Sequence, residues 1–167
     1  MKKIILTILL ALSINLYAQP VEFTLKNTEG KEINIVENKK GLTFKEYKGK
    51  AIFLTIFGHN CPPCNLEIPE FIDLTNKYPN KLEIVAIEAQ GYKNDELKKF
   101  KTEKNINYNL ISGENHTDFV KYLSKNADWE GAIPFIIAID KNGAVQYIDQ
   151  GFIEKGKLEE LINQLTK

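Results

Sequence analysis

One continuous apolar run, Ala51–Phe57, constrains the fold of this chain more than any other segment. It is rich in β-branched and aromatic residues and holds no charged side chain. A run of this kind predicts a central β-strand that is covered on both faces. The strand ends at Gly58-His59-Asn60, and a helix is predicted to begin at Cys61. A buried strand followed directly by a helix is typical of an α/β domain.

The rest of the chain alternates between strand and helix patterns. Further strands are predicted over residues 21–25, 32–35, 82–89, 108–111, 133–139 and 145–148, and further helices over 93–104, 117–125 and 156–165. The first two strands form a hairpin, and residues 38–49 are predicted to be a polar connection. The fold class is therefore α/β: a central mixed sheet flanked by helices, mostly parallel with an antiparallel edge from the last hairpin, and an added N-terminal β-hairpin.

Length and charge narrow the class of protein. The chain has 167 residues, which suits one domain with a single core. Its 22 basic residues balance 22 acidic ones, and every basic residue is a lysine. Because the planar guanidinium of arginine is the preferred partner of guanine edges and phosphates, we expect no nucleic-acid partner.

The first 18 residues have the pattern of a signal peptide. Met1-Lys2-Lys3 is a short basic segment, residues 4–12 are apolar, and Ala18 offers a small residue at a cleavage site. The apolar run is shorter than the roughly 20 residues of a spanning helix, which favours cleavage over an uncleaved membrane anchor. We predict a signal over residues 1–18 and one domain over 19–167, in the periplasm or another extracytoplasmic compartment.

The chain's two cysteines, Cys61 and Cys64, are separated by two prolines. A disulfide across so short a loop adds little stability, so the pair is better suited to thiol–disulfide exchange. At the start of a helix, Cys61 faces unpaired N–H groups and the positive end of the helix dipole, which favour the reactive thiolate. Cys64 lies one turn further on and is predicted to be the resolving thiol.

Several residues around the cysteines carry a family resemblance. Glu67 and Pro69 follow Cys64 at short spacing, and Ile133-Pro134 precedes a second apolar strand. Together with the Cys-x-x-Cys, this pattern resembles the TlpA/ResA/CcmG (DsbE) branch of thioredoxin-like proteins over essentially all of residues 19–167. The resemblance implies a thioredoxin-like fold and a thiol–disulfide oxidoreductase that needs no metal or organic cofactor.

The resemblance also implies roles for three site residues. For Glu67 the resemblance implies a carboxylate that tunes or relays the protons of the two thiols. The alternative interpretation of Glu67 is a solvent-facing acid that interacts favourably with the helix dipole. Pro134 becomes a cis-proline that presents the backbone of Ile133 to an extended substrate beside Cys61. The alternative for Pro134 is an ordinary trans proline at the start of an edge strand.

The implied partners are protein substrates with disulfides or dithiols, among them apocytochrome c, whose haem-binding cysteines a reductant keeps reduced. A membrane electron donor of the CcdA/DsbD type would recharge the pair. Within the same class, the alternatives are a disulfide oxidant or an isomerase. From another class, Cys61, Cys64 and a histidine would suit copper(I), as in SCO-like metallochaperones, although those proteins space their cysteines by three residues. A zinc site needs four ligands and is not expected.

The chain departs from the family pattern in three places. Asn60 stands where a tryptophan usually precedes the first cysteine, Phe135 where threonine is frequent, and residues 126–131 form a longer connection. Thr55 occupies the position of a buried aspartate in thioredoxin, so that proton relay is expected to be missing. These departures change the interaction surface and leave the cysteine pair intact.

Four other residues have uncommitted or structural interpretations. His59 is either a polar loop residue or a cation that favours the Cys61 thiolate, and His116 is predicted to be a surface residue at a helix start. Trp129 either packs in the core or lies exposed near the site. Pro69 is predicted to kink the helix that carries the cysteines.

Overall fold

The computed structural model describes residues 20–167, and the predicted signal lies outside them. The elements follow in the order β1 (Glu22–Lys26), β2 (Glu32–Asn38), β3 (Gly41–Phe44), β4 (Ala51–Phe57), α1 (Pro62–Lys77), β5 (Leu82–Glu88), α2 (Asn94–Glu103), β6 (Asn109–Ser112), α3 (Thr117–Asn126), β7 (Phe135–Ile139), β8 (Val145–Gln150) and α4 (Lys155–Leu165). None of the helices among these residues is long and apolar enough to cross a membrane.

The central sheet has five strands in the order β6-β5-β4-β7-β8. Strand β4 pairs in parallel with β5, and β5 with β6, whereas β7 runs antiparallel to β4 and β8 antiparallel to β7. The predicted mixed sheet is confirmed, but its antiparallel part is larger than the last hairpin alone, because the chain enters β7 from the opposite end after α3. The predicted α/β class and the central position of β4, where every residue is buried, are confirmed.

Two layers cover this sheet, one on each face. Alternate residues of β4 face opposite sides, as the two-residue period of a strand requires. Phe53 and Phe57 join the core beneath α1, α2 and α4, while Leu54 and Ile56 join the core beneath α3 and the N-terminal strands. Burial on both faces explains why β4 could be recognised as a continuous apolar run.

The N-terminal hairpin is larger than the sequence pattern indicates. The connection predicted over residues 38–49 contains β3, which pairs antiparallel with β2 and makes a three-stranded sheet. Leu42 and Phe44 alternate into the second core and are buried there. Lysines and glycines at both ends of this four-residue strand hide it in a polar stretch.

The strand order brings three loops to one edge of the sheet. Phe57, the last residue of β4, pairs with Glu88, the last residue of β5. Because β7 is antiparallel to β4, its first residue, Phe135, lies at the same edge and pairs with Ile56. The loop before α1, the loop after β5 and the loop before β7 therefore meet, and Cys61 lies in the first of them.

Candidate active site

Cys61 and Cys64 form a disulfide at this edge, with their Cα atoms 5.3 Å apart. Both residues are buried in this state, Cys61 being 5% exposed and Cys64 2%. Cys61 is the N-cap of α1, and Pro62 and Pro63 occupy the first two helical positions. Prolines fit there because N–H groups in the first turn have no partner within the helix.

The sulfur of Cys61 is placed to carry negative charge. The backbone N–H of Cys64 donates to Cys61 Sγ at 3.3 Å. This N–H belongs to the first turn of α1, where unpaired donors and the positive end of the helix dipole point outward. Both features favour a thiolate at Cys61 once the disulfide is reduced. The N-cap geometry therefore gives the two cysteines different surroundings.

Asn65 holds the backbone of the loop that ends at Cys61. Its Nδ2 donates to the carbonyl of His59 at 3.1 Å and to the carbonyl of Cys61 at 3.0 Å. One side chain on α1 therefore ties the loop back to the helix. The sequence analysis did not single out Asn65, because an asparagine in a first helical turn is unremarkable as a pattern.

The loop before β7 approaches the disulfide from the other side. The Ile133-Pro134 peptide bond is cis, as the family resemblance implies. The carbonyl oxygen of Ile133 lies 4.0 Å from Cys61 Sγ. Within residues 20–167, neither backbone polar group of Ile133 bonds another backbone group. The predicted neighbours Cys61 and Ile133 are thus brought together, with an accepting carbonyl left over beside the sulfur.

Trp129 supports this loop from within the core. Its side chain is buried, its ring centroid is 6.1 Å from that of Phe135, and its Nε1 donates to the carbonyl of Ala132 at 2.7 Å. Ser124 on α3 also donates to the carbonyl of Trp129, at 2.9 Å. Of the two alternatives for Trp129, the core position is correct, and the residue fixes the chain one position before Ile133.

Glu67 is buried, so the solvent-facing interpretation is wrong. It is 4% exposed and shares the inner face of α1 with Cys64, three residues earlier. Its Oε1 accepts a hydrogen bond from the backbone N–H of Ile153 at 3.1 Å. Burial raises the pKa of Glu67 to about 7; the hydrogen bond from Ile153 opposes this rise, and the nearby charge of Glu70 adds to it. A carboxyl group that titrates near neutral pH therefore lies one helical turn from Cys64.

His59 pairs with a carboxylate that the sequence analysis missed. Its Nδ1 lies 2.8 Å from Glu88 Oε1, and its ring stacks on Tyr92 with centroids 3.5 Å apart. Glu88 is fully buried at the end of β5. The sequence did carry a signal for Glu88: it is an acidic residue at the carboxyl end of a buried strand, and that strand follows the one that leads into the cysteines.

Two further residues take structural positions. His116 is half-buried rather than simply exposed: its Nε2 accepts the backbone N–H of Lys26 at 3.0 Å, and burial lowers its pKa. Thr55 is buried in β4, and its hydroxyl donates to the carbonyl of Phe135 at 3.0 Å. It therefore links β4 to β7 and carries no acid group. The helix α1 continues from Pro62 to Lys77 through Pro69.

Donors for a metal do not cluster near the cysteines. No group of three or more His, Cys, Asp or Glu side chains with metal-binding geometry occurs within residues 20–167. His59, the histidine nearest to the cysteines in sequence, has its Nδ1 engaged by Glu88.

Comparisons with known proteins agree with this geometry. The model of the AhpC/TSA family matches residues 18–148. The chain belongs to this family. It is 30% identical over 147 residues to the thiol-disulfide oxidoreductase ResA of Bacillus thuringiensis subsp. konkukian, covering 86% of this chain and 75% of the relative. It is a thioredoxin-like protein of the TlpA/ResA/CcmG type.

Solved structures confirm the fold. The crystal structure of a putative thiol:disulfide interchange protein DsbE from Chlorobium tepidum superimposes with a TM-score of 0.66, at 19% identity and over 88% of this chain and 94% of that one. StoA from Bacillus subtilis superimposes with a TM-score of 0.62, at 19% identity and over 86% of this chain and 98% of that one. The thioredoxin-like fold predicted from the resemblance is therefore confirmed, and with the ResA relationship the chain is a thiol–disulfide oxidoreductase.

Proposed function

We propose that this oxidoreductase reduces disulfides of exported proteins, with Cys61 as the attacking thiol and Cys64 as the resolving thiol. The observation that carries the proposal is the position of Cys61 Sγ, which accepts the Cys64 N–H at the start of α1 and lies 4.0 Å from the Ile133 carbonyl. At Cys61 Sγ, negative charge is stabilised by the start of α1, and the neighbouring Ile133 carbonyl is free to accept a hydrogen bond from a client.

The exchange proceeds in two displacement steps. The Cys61 thiolate attacks one sulfur of a client disulfide, which forms a Cys61–client disulfide and releases the other client sulfur as a thiolate. The Cys64 thiolate then attacks Cys61 Sγ, which releases the second client sulfur and leaves the Cys61–Cys64 disulfide. Two electrons pass to the client in each turnover, so an external dithiol donor must reduce the pair again.

Glu67 is the group proposed to move the proton in the second step. Cys64 is the more deeply buried cysteine, and a thiolate without a nearby base forms slowly in such surroundings. The carboxylate of Glu67 lies on the same helix face, and its pKa of about 7 suits both release and uptake of a proton near neutral pH. The backbone N–H of Ile153 holds this carboxyl group in place.

The client is proposed to lie along Ile133 as an extended segment. Backbone amides of the client within two residues of its cysteine would donate to the Ile133 carbonyl, in the manner of an added strand. The docking residues of the proposal are therefore Ile133 and Pro134, and the contact is independent of client side chains. Such a site accepts many sequences, as a general reductant requires.

Backbone docking predicts a dependence on client amides. Consider two model peptides with the same internal disulfide, one of them N-methylated at the amides beside the attacked cysteine. We expect the methylated peptide to be reduced roughly fivefold more slowly, since the lost hydrogen bond to the Ile133 carbonyl contributes about 1 kcal/mol. The control is dithiothreitol, which needs no docking and should reduce both peptides at the same rate. Equal rates with the enzyme would show that the Ile133 carbonyl binds no client.

The proposed role as a reductant predicts a low reduction potential for the Cys61–Cys64 pair. Burial around Cys64 and Glu67 disfavours charge in the dithiol form, and this effect is proposed to outweigh the stabilisation of the Cys61 thiolate by the start of α1, so that the disulfide is favoured and the protein acts as a reductant. We expect the pair, equilibrated with glutathione or dithiothreitol at pH 7 and trapped by alkylation, to show a potential at or below about −240 mV. A potential above about −180 mV would instead identify an oxidant or isomerase.

Export and specific partners complete the proposal. The signal pattern of residues 1–18 supports an extracytoplasmic location, where disulfides of clients form and persist. Apocytochrome c is the proposed client, and a membrane protein of the CcdA/DsbD type is the proposed electron donor, both from the family resemblance. Reduction of a peptide that contains Cys-x-x-Cys-His in its disulfide form tests the client directly.

A further inference from the structure

We infer that His59 and Glu88 form a positioning pair that holds the Cys61 loop, so that the hydrogen bond from His59 to Glu88 sets the reactivity of Cys61. The inference rests on the proposed role of Cys61 as the attacking thiol. Both residues act through the backbone that carries the sulfur.

Glu88 is a fully buried carboxylate whose hydrogen bonds all come from the two loops at this edge. Its Oε1 accepts from His59 Nδ1 at 2.8 Å, from the backbone N–H of Gln90 at 2.9 Å and, at the longer distance of 3.5 Å, from the backbone N–H of His59. Its Oε2 accepts from the backbone N–H of Tyr92 at 2.8 Å. A buried carboxylate needs such partners to compensate for the lost water, so removing one donor leaves the site short of a bond.

The loop after β5 contacts the loop before α1 at two more points. The backbone N–H of Asn60 donates to Gln90 Oε1 at 2.8 Å, and the ring of Tyr92 lies parallel to that of His59. A Cβ atom at Gly58 would collide with the side chain of Gln90, so the two loops are in direct contact. These contacts hold residues 58–60 against β5, immediately before the cysteine.

The other side of the same loop is held by α1. Asn65 Nδ2 donates to the carbonyls of His59 and Cys61. The backbone from His59 to Cys61 is therefore held by β5 and its loop on one side and by α1 on the other. Loss of the His59–Glu88 bond removes one of these attachments, and Cys61 Sγ then spends less time within reach of the Cys64 N–H that favours its thiolate.

Two substitutions at His59 separate the hydrogen bond from the ring. His59→Phe keeps a ring to stack on Tyr92 and removes the short side-chain hydrogen bond to Glu88. His59→Asn places an amide N–H near the position of Nδ1 and removes the ring. If the hydrogen bond is what positions the loop, the Phe variant should be impaired and the Asn variant should resemble the unaltered chain.

The readout is alkylation of the reduced protein by iodoacetamide across a range of pH, with peptide mapping to assign the sulfur. For His59→Phe we expect the rate at Cys61 near neutral pH to fall by roughly threefold to tenfold, with the midpoint of the pH profile moved upward, because the rate follows the thiolate fraction. For His59→Asn we expect less than a twofold change. The same exchange at the second histidine, His116→Phe, should leave Cys61 alkylation unchanged.

Each outcome decides the inference. An unchanged rate in His59→Phe would overturn it, and so would equal losses in the Phe and Asn variants, since the side-chain hydrogen bond to Glu88 would then not be what sets the rate. Far-ultraviolet circular dichroism of both variants shows whether they are folded. If Cys64 is alkylated first in the unaltered chain, the proposed role of Cys61 fails, independently of the His59 comparison.

Discussion

A chain in which alanine replaces Cys64 should stop after the first exchange step and stay covalently attached to its client through Cys61. The geometry provides a single internal sulfur for resolution: Cys64, which is bonded to Cys61 and whose N–H donates to Cys61 Sγ. Without it, the mixed disulfide persists until an external thiol attacks. We expect multiple-turnover reduction to fall by roughly two orders of magnitude or more, because each turnover needs both sulfurs.

The measurement is a non-reducing gel and intact-protein mass spectrum after mixing reduced protein with a disulfide-bonded client. The adduct should be abundant in Cys64→Ala, transient in the unaltered chain and absent in Cys61→Ala, which is the matched control. A stable adduct in Cys61→Ala with none in Cys64→Ala would reverse the assignment of the two thiols. The same trap, applied to extracytoplasmic extracts, identifies the natural client from the protein bound to Cys61.

The second large effect concerns Glu67 and the stability of the oxidised protein. Its pKa is about 7 in the folded protein, against 4.5 for the free side chain. The protonated form of Glu67 is therefore favoured in the fold: the contribution of Glu67 to stability is largest below about pH 4.5, decreases as the pH rises through 7, and stays at the lower level above that. Glu67→Gln is always neutral and keeps an oxygen for the Ile153 N–H.

The variant should therefore gain stability over the unaltered chain only on the alkaline side. We expect similar free energies of unfolding near pH 4.5 and an advantage for Glu67→Gln of about 2–3 kcal/mol at pH 8, in urea titrations with the disulfide intact. Glu103→Gln, the same change at an exposed carboxylate, should have no comparable effect. An advantage that is equal at both pH values would show that charge at Glu67 is not what the fold disfavours.

The sequence was sufficient for those features that depend on local pattern. The apolar run of β4, the helix that follows it and the cysteine pair between them could be located because burial on both faces leaves no charged residue in the strand. The N-cap position of Cys61 follows from the same local order of elements. The proximity of Ile133 to Cys61 came from the family resemblance rather than from any pattern in the residues themselves.

Only the tertiary structure decided features that depend on distant segments. The antiparallel orientation of β7 was not predicted, since the direction of a strand leaves no periodic signal in the sequence. Strand β3 was missed, since four residues in a polar stretch are too few to show a period. Glu67 could be placed on a helix, yet its burial depends on Ile153, which is 86 residues away. An isolated helix cannot distinguish a buried acid from an exposed one.

The pairing of His59 with Glu88 shows the same division most clearly. The sequence determined that His59 lies just before the redox pair and that Glu88 ends a buried strand, but it left the direction of the histidine open. The parallel register of β4 and β5 brings Phe57 beside Glu88, which puts the buried carboxylate within 2.8 Å of the histidine ring. Local sequence determines which residues lie at the end of each strand. The order of strands in the sheet determines which of these ends are neighbours, because hydrogen bonds between strands join residues that are far apart in the chain.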